Sequence, residues 1–481
     1  MQTDGHTTEK GNHALVIGGS MAGMLAARVL ADHFERVTIL ERDRFPEDGP
    51  VPRKGVPQAR HVHALLKRGR VALERLFPGI GDELVAAGAP TLDMANDIAW
   101  LNPAGWGVRF PSDLGFVSFS RDLLDWHVRR RLAADTGGVR FLKGYDVTGL
   151  VPGPDGTGVA GARVRRRDGS GMVGGEEEMH TDLVVDATGR GSRAPEWLEA
   201  LGCPRPEETV INAHLGDATR VYRRPPGFRA DWKMVFVQAA PPEITRGALL
   251  LPIEGDRWML TLAGRDRDYP PTDEAGFMEF ARSLRNPIIR DAIEGAEPLS
   301  PIHGFRQTAN RRRHYEKLPR QPHNFLVTGD AACAFNPVYA QGMTTAALGA
   351  ETLQACLREQ RRRRPGGELT GLARSFQKKL AGINKAPWML ATGEDFRVRG
   401  VEGGKPNTMN RFMHRYMDRV LELSTEDAGV RLALLEVFNL LKPPTAILAP
   451  AIAAKVLRRV ISRRPAAAVP LAAGRELPKA A

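Results

Sequence analysis

The feature that most constrains the fold of this chain is a glycine-rich turn between an apolar strand and a helix. The stretch HALVIGGSMAGMLAARVLA, residues 13–31, predicts a short buried strand, a turn and then a helix. In such a unit the first glycine makes a tight turn and the last lets helix and strand pack closely. The helix N-terminus then offers unpaired N–H groups to a pyrophosphate. The turn consists of Gly18, Gly19, Ser20, Met21, Ala22 and Gly23.

A carboxylate at the end of the next strand completes the pattern. The segment VTILERD, residues 37–43, predicts that strand and ends it near Glu41. An acidic side chain at this spacing accepts hydrogen bonds from an adenosine ribose. Arg42 is adjacent and is assigned to the same site. Ser20 replaces the middle glycine of the usual motif, but the strand, turn, helix and acid together predict a dinucleotide-binding βαβ unit.

A second strand-to-helix elbow occurs about three hundred residues later. In TGDAACAFNPVYAQGM, residues 328–343, an apolar strand is predicted to end at Asp330 and a helix to start near Gly342. The carboxylate suits a polyol hydroxyl, and the helix N-terminus suits negative charge on a flat ring. Two such sites, one for each end of a long ligand, favour FAD over NAD.

Between residues 205 and 265 the pattern changes from alternating strands and helices to strands alone. In RWMLTL, the side chains of Trp258, Leu260 and Leu262 are expected to share one face. The fold class predicted is α/β, a Rossmann-like FAD-binding domain with an inserted antiparallel β-sheet substrate domain and a C-terminal helical region. The predicted boundaries are 13–85, 119–202 and 301–362 for the FAD-binding domain, 86–118 and 203–300 for the substrate domain, 363–462 for the helical region, and 1–12 and 463–481 for disordered ends.

The charge of the chain, +12, raises the question of a nucleic-acid partner. The basic residues are scattered, however, and the densest run, at 361–364, adjoins a Pro-Gly-Gly loop. No helix-turn-helix, zinc-finger or aromatic-platform pattern is present, so nucleic-acid binding is not expected. The three cysteines have unrelated spacings, which fits a reducing cytoplasm. Residues 1–12 lack a signal-peptide core, and glycines interrupt the apolar stretch 14–31, so no transmembrane helix is predicted.

Three segments in order carry a family resemblance: the turn at 18–23, DATGRGSR at 186–193 and GDAACAFNPVYAQGM at 329–343. With them the sequence resembles the flavoprotein monooxygenases of the para-hydroxybenzoate hydroxylase fold. The resemblance implies FAD as cofactor, NAD(P)H as reductant and O2 as oxidant. It also implies these contacts: Asp330 with the ribityl chain; Pro337, Gly342 and Met343 with the isoalloxazine; Arg121 with the ribityl chain or phosphates; Arg53 with the pyrophosphate; Val147 with the adenine; and Asp186 in a loop that serves both flavin and pyridine nucleotide.

A narrower resemblance covers most of the chain. RKGVPQARHVHALL, LLDWHVRR, LVVDATGRGS, PTDEAGFMEFARSLR and FNPVYAQGM resemble segments of the actinobacterial epoxidases of polyether-antibiotic biosynthesis, whose chemistry is similar to that of squalene epoxidases. This implies insertion of one oxygen atom into a hydrophobic natural product, with alkene epoxidation of a polyketide or terpenoid chain favoured and hydroxylation close behind. Ala340 departs from the pattern, because relatives usually carry glycine there.

Other readings stay open beside this one. Some members of the wider superfamily saturate prenyl chains as reductases, and a flavin-binding protein without catalysis is a third alternative. The segment 432–461 could lie on a membrane through an apolar face, but packing on the core or near the substrate entrance is favoured. No W-x-W-x-I-P segment is present, which disfavours halogenation. His61 and His63 are not expected to bind metal, no acid–base pair is evident, and no catalytic residue is assigned.

Two sources remain open for the electrons that would reduce the flavin. The chain has no second G-x-G-x-x-G motif for a separate NAD(P)H domain. The reductant must therefore bind transiently to the flavin domain, or a partner flavin reductase must supply the electrons.

Overall fold

The computed structural model describes residues 10–167 and 172–462. The predicted disordered tail 463–481, most of the predicted disordered N-terminus and the glycine-rich hairpin turn at 168–171 lie outside these ranges. Within them the α-helices are α1 (Met21–Ala31), α2 (Lys67–Leu76), α3 (Ile80–Ala86), α4 (Arg121–Asp135), α5 (Ala194–Ala200), α6 (Glu274–Arg282), α7 (Ile288–Ile293), α8 (Gly342–Arg363), α9 (Leu372–Ile383), α10 (Lys385–Asp395), α11 (Thr408–Leu423), α12 (Ala428–Phe438) and α13 (Pro450–Ile461).

The strands form five sheets in the described part of the chain. They are β1 (Gly11–Ile17), β2 (Phe34–Glu41), β3 (Thr91–Asp93), β4 (Ile98–Asn102), β5 (Gly105–Trp106), β6 (Gly115–Val117), β7 (Val139–Lys143), β8 (Tyr145–Pro152), β9 (Val159–Arg167), β10 (Met172–His180), β11 (Leu183–Asp186), β12 (Glu208–Ile211), β13 (Gly216–Arg223), β14 (Met234–Val237), β15 (Arg246–Ile253), β16 (Arg257–Gly264), β17 (His303–Phe305), β18 (Asn310–Arg313), β19 (Phe325–Val327) and β20 (Cys333–Ala334).

A five-stranded parallel sheet carries both elbows at one edge. Its strand order is β19–β11–β1–β2–β7, and all four pairings are parallel. The strands are nearly continuous apolar runs because helices cover the sheet, with α1 packed against α8. Since β19 and β1 flank β11, the turns that follow these strands lie side by side. The predicted Rossmann-like α/β domain is confirmed.

The inserted sheet has seven strands in the order β17–β13–β16–β15–β14–β4–β5. Every pairing is antiparallel except that of β14 with β4. Trp258, Leu260 and Leu262 share one face, as predicted, and pack against α6 and α7. The opposite face belongs to a second apolar cluster that includes residues of α11, α12 and α13. The sheet therefore separates one core from a space enclosed by the C-terminal helices.

Several boundaries differ from the sequence-based expectation. β1 begins at Gly11, inside the segment 1–12 that was expected to be disordered. β17 lies beyond residue 300 but pairs with β13. β19 ends at Val327, so Asp330 follows the strand within a short 3-10 turn instead of ending it. The adjacent β20 pairs with β18, and this pairing holds the second elbow against a small separate sheet.

The C-terminal region is helical, as expected, but 432–461 is not one continuous helix. Prolines at 443, 444 and 450 divide it into α12, a 3-10 turn and α13. Ile452 and Val456 of α13 are buried, whereas Leu457, Val460 and Ile461 are exposed. Among the described helices, none is both long and apolar enough to cross a lipid bilayer.

Candidate flavin and substrate cavity

A cavity of about 910 Å³ lies between the carboxyl edge of the parallel sheet, the seven-stranded sheet and helices α10 to α12. Twelve of the sixteen predicted cofactor contacts line it: Gly18, Ser20, Met21, Ala22, Glu41, Arg42, Arg121, Val147, Asp330, Pro337, Gly342 and Met343. The other four, Gly19, Gly23, Arg53 and Asp186, lie behind the lining. The fold thus brings residues from distant parts of the chain to one cavity, which the motifs alone did not establish.

The first elbow needs glycine at two positions. Gly18 has φ +100°, and a Cβ there would lie 2.7 Å from the carbonyl oxygen of Ala187. A Cβ on Gly23 would lie 1.8 Å from the carbonyl oxygen of Gly18. Ser20 is the N-cap of α1, yet its side chain does not cap the helix and its hydroxyl instead accepts a hydrogen bond of 2.9 Å from Arg121. The first N–H groups of α1 have no side-chain cap, which suits an anionic group.

Glu41 is buried and already partly engaged. Its Oε2 accepts a hydrogen bond of 2.9 Å from the Gly19 amide and forms an ion pair of 3.0 Å with Arg53. Its Oε1 accepts from the Asp43 amide at 3.0 Å. A carboxylate offers about four acceptor positions, so a free position remains for a ribose hydroxyl. Arg53 also donates to the Gly19 carbonyl at 2.8 Å, so it braces the turn from behind.

Two further predicted contacts lie where the ligand would continue. Val147 of β8 lines the cavity beside Glu41 and Arg42, at the end assigned to the adenine. Arg121 opens α4, which is capped by the Ser120 hydroxyl, and its guanidinium is held by Asp125 at 2.7 Å. Arg121 is buried, and its positive charge therefore points from a fixed position toward the start of α1.

Asp186 lies at the start of the loop with which it was predicted to act. It is fully buried and accepts hydrogen bonds from the Thr188 amide and hydroxyl and from the Ser192 hydroxyl, at 2.6–2.9 Å. Burial raises its pKa, and these hydrogen bonds oppose the increase. Asp186 thus shapes the loop 187–193, in which every residue except Ser192 lines the cavity, whereas Asp186 does not line it.

The second elbow touches the first. A Cβ on Gly329 would lie 2.6 Å from the Ala22 Cβ, so the two turns are in van der Waals contact. Asp330 faces the cavity with Arg190 at 3.8 Å, and burial raises the pKa of its carboxyl. Helix α8 begins at Gly342 without a side-chain cap, and among the described residues none bonds the buried Oε1 of Gln341. A polar ligand at this helix start would satisfy these groups.

The backbone at residue 340 is left-handed. Ala340 has φ +54° and ψ +29°, a region that non-glycine residues enter at a cost. The conformation ends a 3-10 turn at 337–339 and directs the chain into α8. The departure from glycine noted in the sequence therefore falls on a position where glycine would be unstrained.

An aspartate on α10 holds this elbow in place, and sequence reasoning missed it. Asp395 is fully buried and accepts hydrogen bonds from Asn310 at 2.6 Å, from Asn336 at 3.2 Å and from the Tyr339 hydroxyl at 2.6 Å. Asn336 in turn caps the short turn that carries Pro337. No motif around residue 395 indicated this role, because its partners come from two distant segments.

The two histidines of the loop before α2 are placed beside the cavity. His61 is buried, and its Nδ1 shares a hydrogen bond of 2.8 Å with the Thr219 hydroxyl. Burial lowers the pKa of His61 to about 4 and that of His63 to about 3, so both are neutral near pH 7. In the described part of the chain no cluster of His, Cys, Asp or Glu is arranged to hold a metal ion. Both histidines therefore belong to the cavity lining.

Beyond the elbows the cavity continues between apolar walls. The seven-stranded sheet supplies Ile98, Trp100, Met234, Phe236 and Leu249, and the C-terminal helices supply Met413, Met417, Leu434 and Phe438. Asp217 and Arg265 interrupt the sheet wall with two charges, which sequence reasoning also missed. The signal was an aspartate inside an alternating strand, GDATRVYR, at a position on the inward face.

These features together fit FAD. The glycine positions allow a pyrophosphate to approach α1, Glu41 keeps one acceptor position for a ribose, and Asp330 and the start of α8 leave polar groups unsatisfied at the other end of the same cavity. The residues that would hold the cofactor are those already named as lining the two elbows.

Comparison with known proteins agrees with this geometry. The chain is 34% identical over 395 residues to "Protein Rv3254" of Mycobacterium tuberculosis (strain ATCC 25618 / H37Rv). This alignment covers 79% of each of the two chains. The flavin-dependent brominase Bmp2 superposes with a TM-score of 0.63 at 14% identity, covering 94% of this chain and 100% of that one. PqsL of Pseudomonas aeruginosa, described as a probable FAD-dependent monooxygenase, gives a TM-score of 0.57 at 16% identity, covering 80% and 96%.

At such low identity the two structures are similar in fold alone. The family model described as "FAD binding domain" matches residues 12–367, which include both elbows and the inserted sheet. This chain belongs to the FAD binding domain family.

Proposed function

We propose that this protein is an FAD-dependent monooxygenase that transfers one oxygen atom of O2 to a hydrophobic natural-product intermediate. Epoxidation of an alkene in a polyketide or terpenoid chain is the favoured reaction. The observation that carries the proposal is the continuity of the cavity, which runs from the two polar elbows into a wall of aromatic and aliphatic side chains. An apolar chain bound there would meet the cofactor end at the second elbow.

The chemistry divides between cofactor and protein. Bound FAD would supply electron transfer and activation of O2. The protein residues would position the ring, since Pro337, Ala340 and Gly342 of the second elbow line the cavity. The uncapped start of α8 favours negative charge on the ring. Apart from Asp217 and Arg265, the walls of the substrate part of the cavity are mostly apolar and both histidines are neutral, which favours exclusion of water.

Oxygen transfer to an alkene requires no strong base from the protein. His61 is neutral and its Nδ1 is held by Thr219, so it is suited to shape the cavity instead of removing a proton. NAD(P)H is the proposed reductant, bound transiently at the cavity, with a partner flavin reductase as the other route.

Purified protein tests the proposal directly. We expect a yellow protein with one FAD per chain that consumes NADH or NADPH in the presence of O2 and adds one oxygen atom to a long-chain alkene. A colourless protein that binds no added FAD would exclude the proposal. So would a flavoprotein that consumes no NAD(P)H with O2, if added flavin reductase also failed to support substrate oxidation.

Hydroxylation is the second candidate, because the same cavity admits a saturated chain as readily as an alkene. Both reactions raise the product mass by one oxygen, so mass alone does not distinguish them. Product NMR does, since retention of both sp² carbons excludes epoxidation. Anaerobic turnover of a prenyl substrate would point to a reductase instead.

A further inference from the structure

The cavity face of the seven-stranded sheet carries two opposite charges at neighbouring positions. Asp217 of β13 pairs with Ala263 of β16, and Arg265 follows two residues after Ala263. Arg265 therefore lies just beyond the end of β16, where its charge acts on the Asp217 carboxyl. Both charged residues line the cavity, and each is only 8% exposed.

Neither charge has a partner among the described residues. The buried Nε of Arg265 has no hydrogen-bond partner, and among the described residues no hydrogen bond or ion pair joins Asp217 or Arg265 to another side chain. Their charges nevertheless interact, since Arg265 lowers the pKa of the Asp217 carboxyl against the larger effect of burial, which raises it to about 7. A buried charge without a hydrogen bond is costly, so such a group either loses its charge, as the raised pKa of Asp217 indicates, or is satisfied by a bound polar group.

The nearby polar groups are occupied elsewhere. Thr219 and Thr261, on the same face, bond to each other and Thr219 also to His61. The charge of Arg265 lowers the pKa values of Tyr339 and Asp395 against the larger effect of burial, but the Tyr339 hydroxyl donates its hydrogen bond to Asp395 at 2.6 Å. Asp217 and Arg265 are therefore a pair of charged groups on this wall that no described residue bonds.

We propose that Asp217 and Arg265 form a polar subsite that binds a hydroxyl group on an otherwise apolar substrate. The hydroxyl would donate a hydrogen bond to the Asp217 carboxylate and accept one from the Arg265 guanidinium. Above pH 7, where Asp217 is mostly ionised, a carboxylate ligand would meet repulsion from Asp217, and an ammonium ligand would meet repulsion from Arg265. An uncharged group that both donates and accepts satisfies both side chains.

This inference deepens the proposed function by naming the substrate class as a hydroxyl-bearing polyketide or terpenoid chain. It rests on the proposed use of the cavity for substrate. Its test needs no turnover, however, and so remains separable from the test of the monooxygenase proposal.

The probes are 1-decanol and its methyl ether, which have the same apolar chain but differ in the hydrogen-bond donor. Binding to the FAD-loaded protein is measured by isothermal titration calorimetry. We expect the wild-type protein to bind the alcohol at least about tenfold more tightly than the ether. In Asp217→Leu the alcohol should fall to the affinity of the ether, with ether binding unchanged or improved. Arg265→Met should also reduce the preference for the alcohol.

Leu249→Ala serves as the matched control, because Leu249 lines the same sheet wall without a polar group. It should weaken both probes by a similar factor and keep their ratio. Equal binding of alcohol and ether to the wild-type protein would overturn the inference, as would an equal loss of both probes in Asp217→Leu. If Asp217→Leu does not fold, Asp217→Ala, which also lacks a hydrogen-bond acceptor, provides the same comparison, and a preference for the alcohol unchanged from the wild type would again overturn the inference.

Discussion

Ala340 offers the sharpest test of how the second elbow is built. Its backbone is left-handed at φ +54° and ψ +29°, where the Cβ of an L-residue approaches the following carbonyl. Glycine adopts this conformation without that contact. Ala340→Gly should therefore relax the turn that leads into α8 and leave the lining of the cavity otherwise unchanged.

The magnitude follows from two opposing effects. Removing left-handed strain from a non-glycine residue releases about 1–2 kcal/mol. The greater freedom of glycine in the unfolded chain costs about 0.5–1 kcal/mol. The difference predicts a gain of about 0.5–1 kcal/mol, and for a chain of this size that corresponds to an increase of about 1 °C in Tm.

The assay compares Ala340→Gly with Ala454→Gly, an exposed position in the regular helix α13. The helix variant lacks strain to release and should lose about 1 kcal/mol. Thermal unfolding followed by flavin fluorescence gives Tm, and titration of the apoprotein with FAD gives Kd. The expected result is a Tm change of opposite sign in the two variants, with FAD binding of Ala340→Gly unchanged or tighter. A clear loss of FAD, or a Tm decrease equal to that of Ala454→Gly, would refute the reasoning.

Three further predictions concern the same cavity. Gly23→Ala should abolish FAD retention, because its Cβ would lie 1.8 Å from a backbone oxygen. Gly382→Ala, which has open space around the new Cβ, should bind FAD normally. Absorbance at 450 nm measures bound flavin in both variants, and retained flavin in Gly23→Ala would contradict the geometry. Asp395→Ala should weaken FAD binding at least about tenfold, because three hydrogen-bond donors lose their shared acceptor. Fluorescence titration measures the Kd for FAD. An unchanged Kd would show that the second elbow keeps its structure without Asp395. Burial raises the pKa of Asp217 from 3.8 to about 7, so between these pH values the folded protein keeps a proton that the unfolded chain loses. The contribution of this residue to stability should therefore fall as the pH rises from 3.8 to about 7. The decrease of Tm with pH should be smaller in Asp217→Asn, and an unchanged decrease would count against the burial effect.

The parts of the site that depend on local sequence were predictable. The turn at Gly18 and the acid at Glu41 are fixed by spacing within one βαβ unit, so the sequence pattern suffices for them. The second elbow was predictable for the same reason, although the strand ends earlier than expected. The helices and strands were also predictable from the sequence, because apolar residues recur regularly in the parallel sheet and in the seven-stranded sheet.

The parts of the site that depend on contacts between distant segments were not predictable from the sequence. Asp217 and Arg265 become neighbours only through the register of β13 with β16, and Asp395 meets its partners only when α10 packs on the elbow. Asp186 is a different case, since its motif marked a loop that lines the cavity but gave no indication that the Asp186 side chain is buried behind the lining. Three-dimensional contacts decide such assignments, and neighbouring sequence does not contain them.

The contact between Gly329 and Ala22 has a consequence for the order of events during synthesis. The first elbow leaves the ribosome early, whereas the strand that completes the sheet beside it is made about three hundred residues later. At about 5–20 residues per second, the half-built site would wait roughly 15–60 s before FAD could be enclosed. Flavin capture is therefore a late step in the life of the nascent chain, and a fragment ending before α8 should emerge without cofactor.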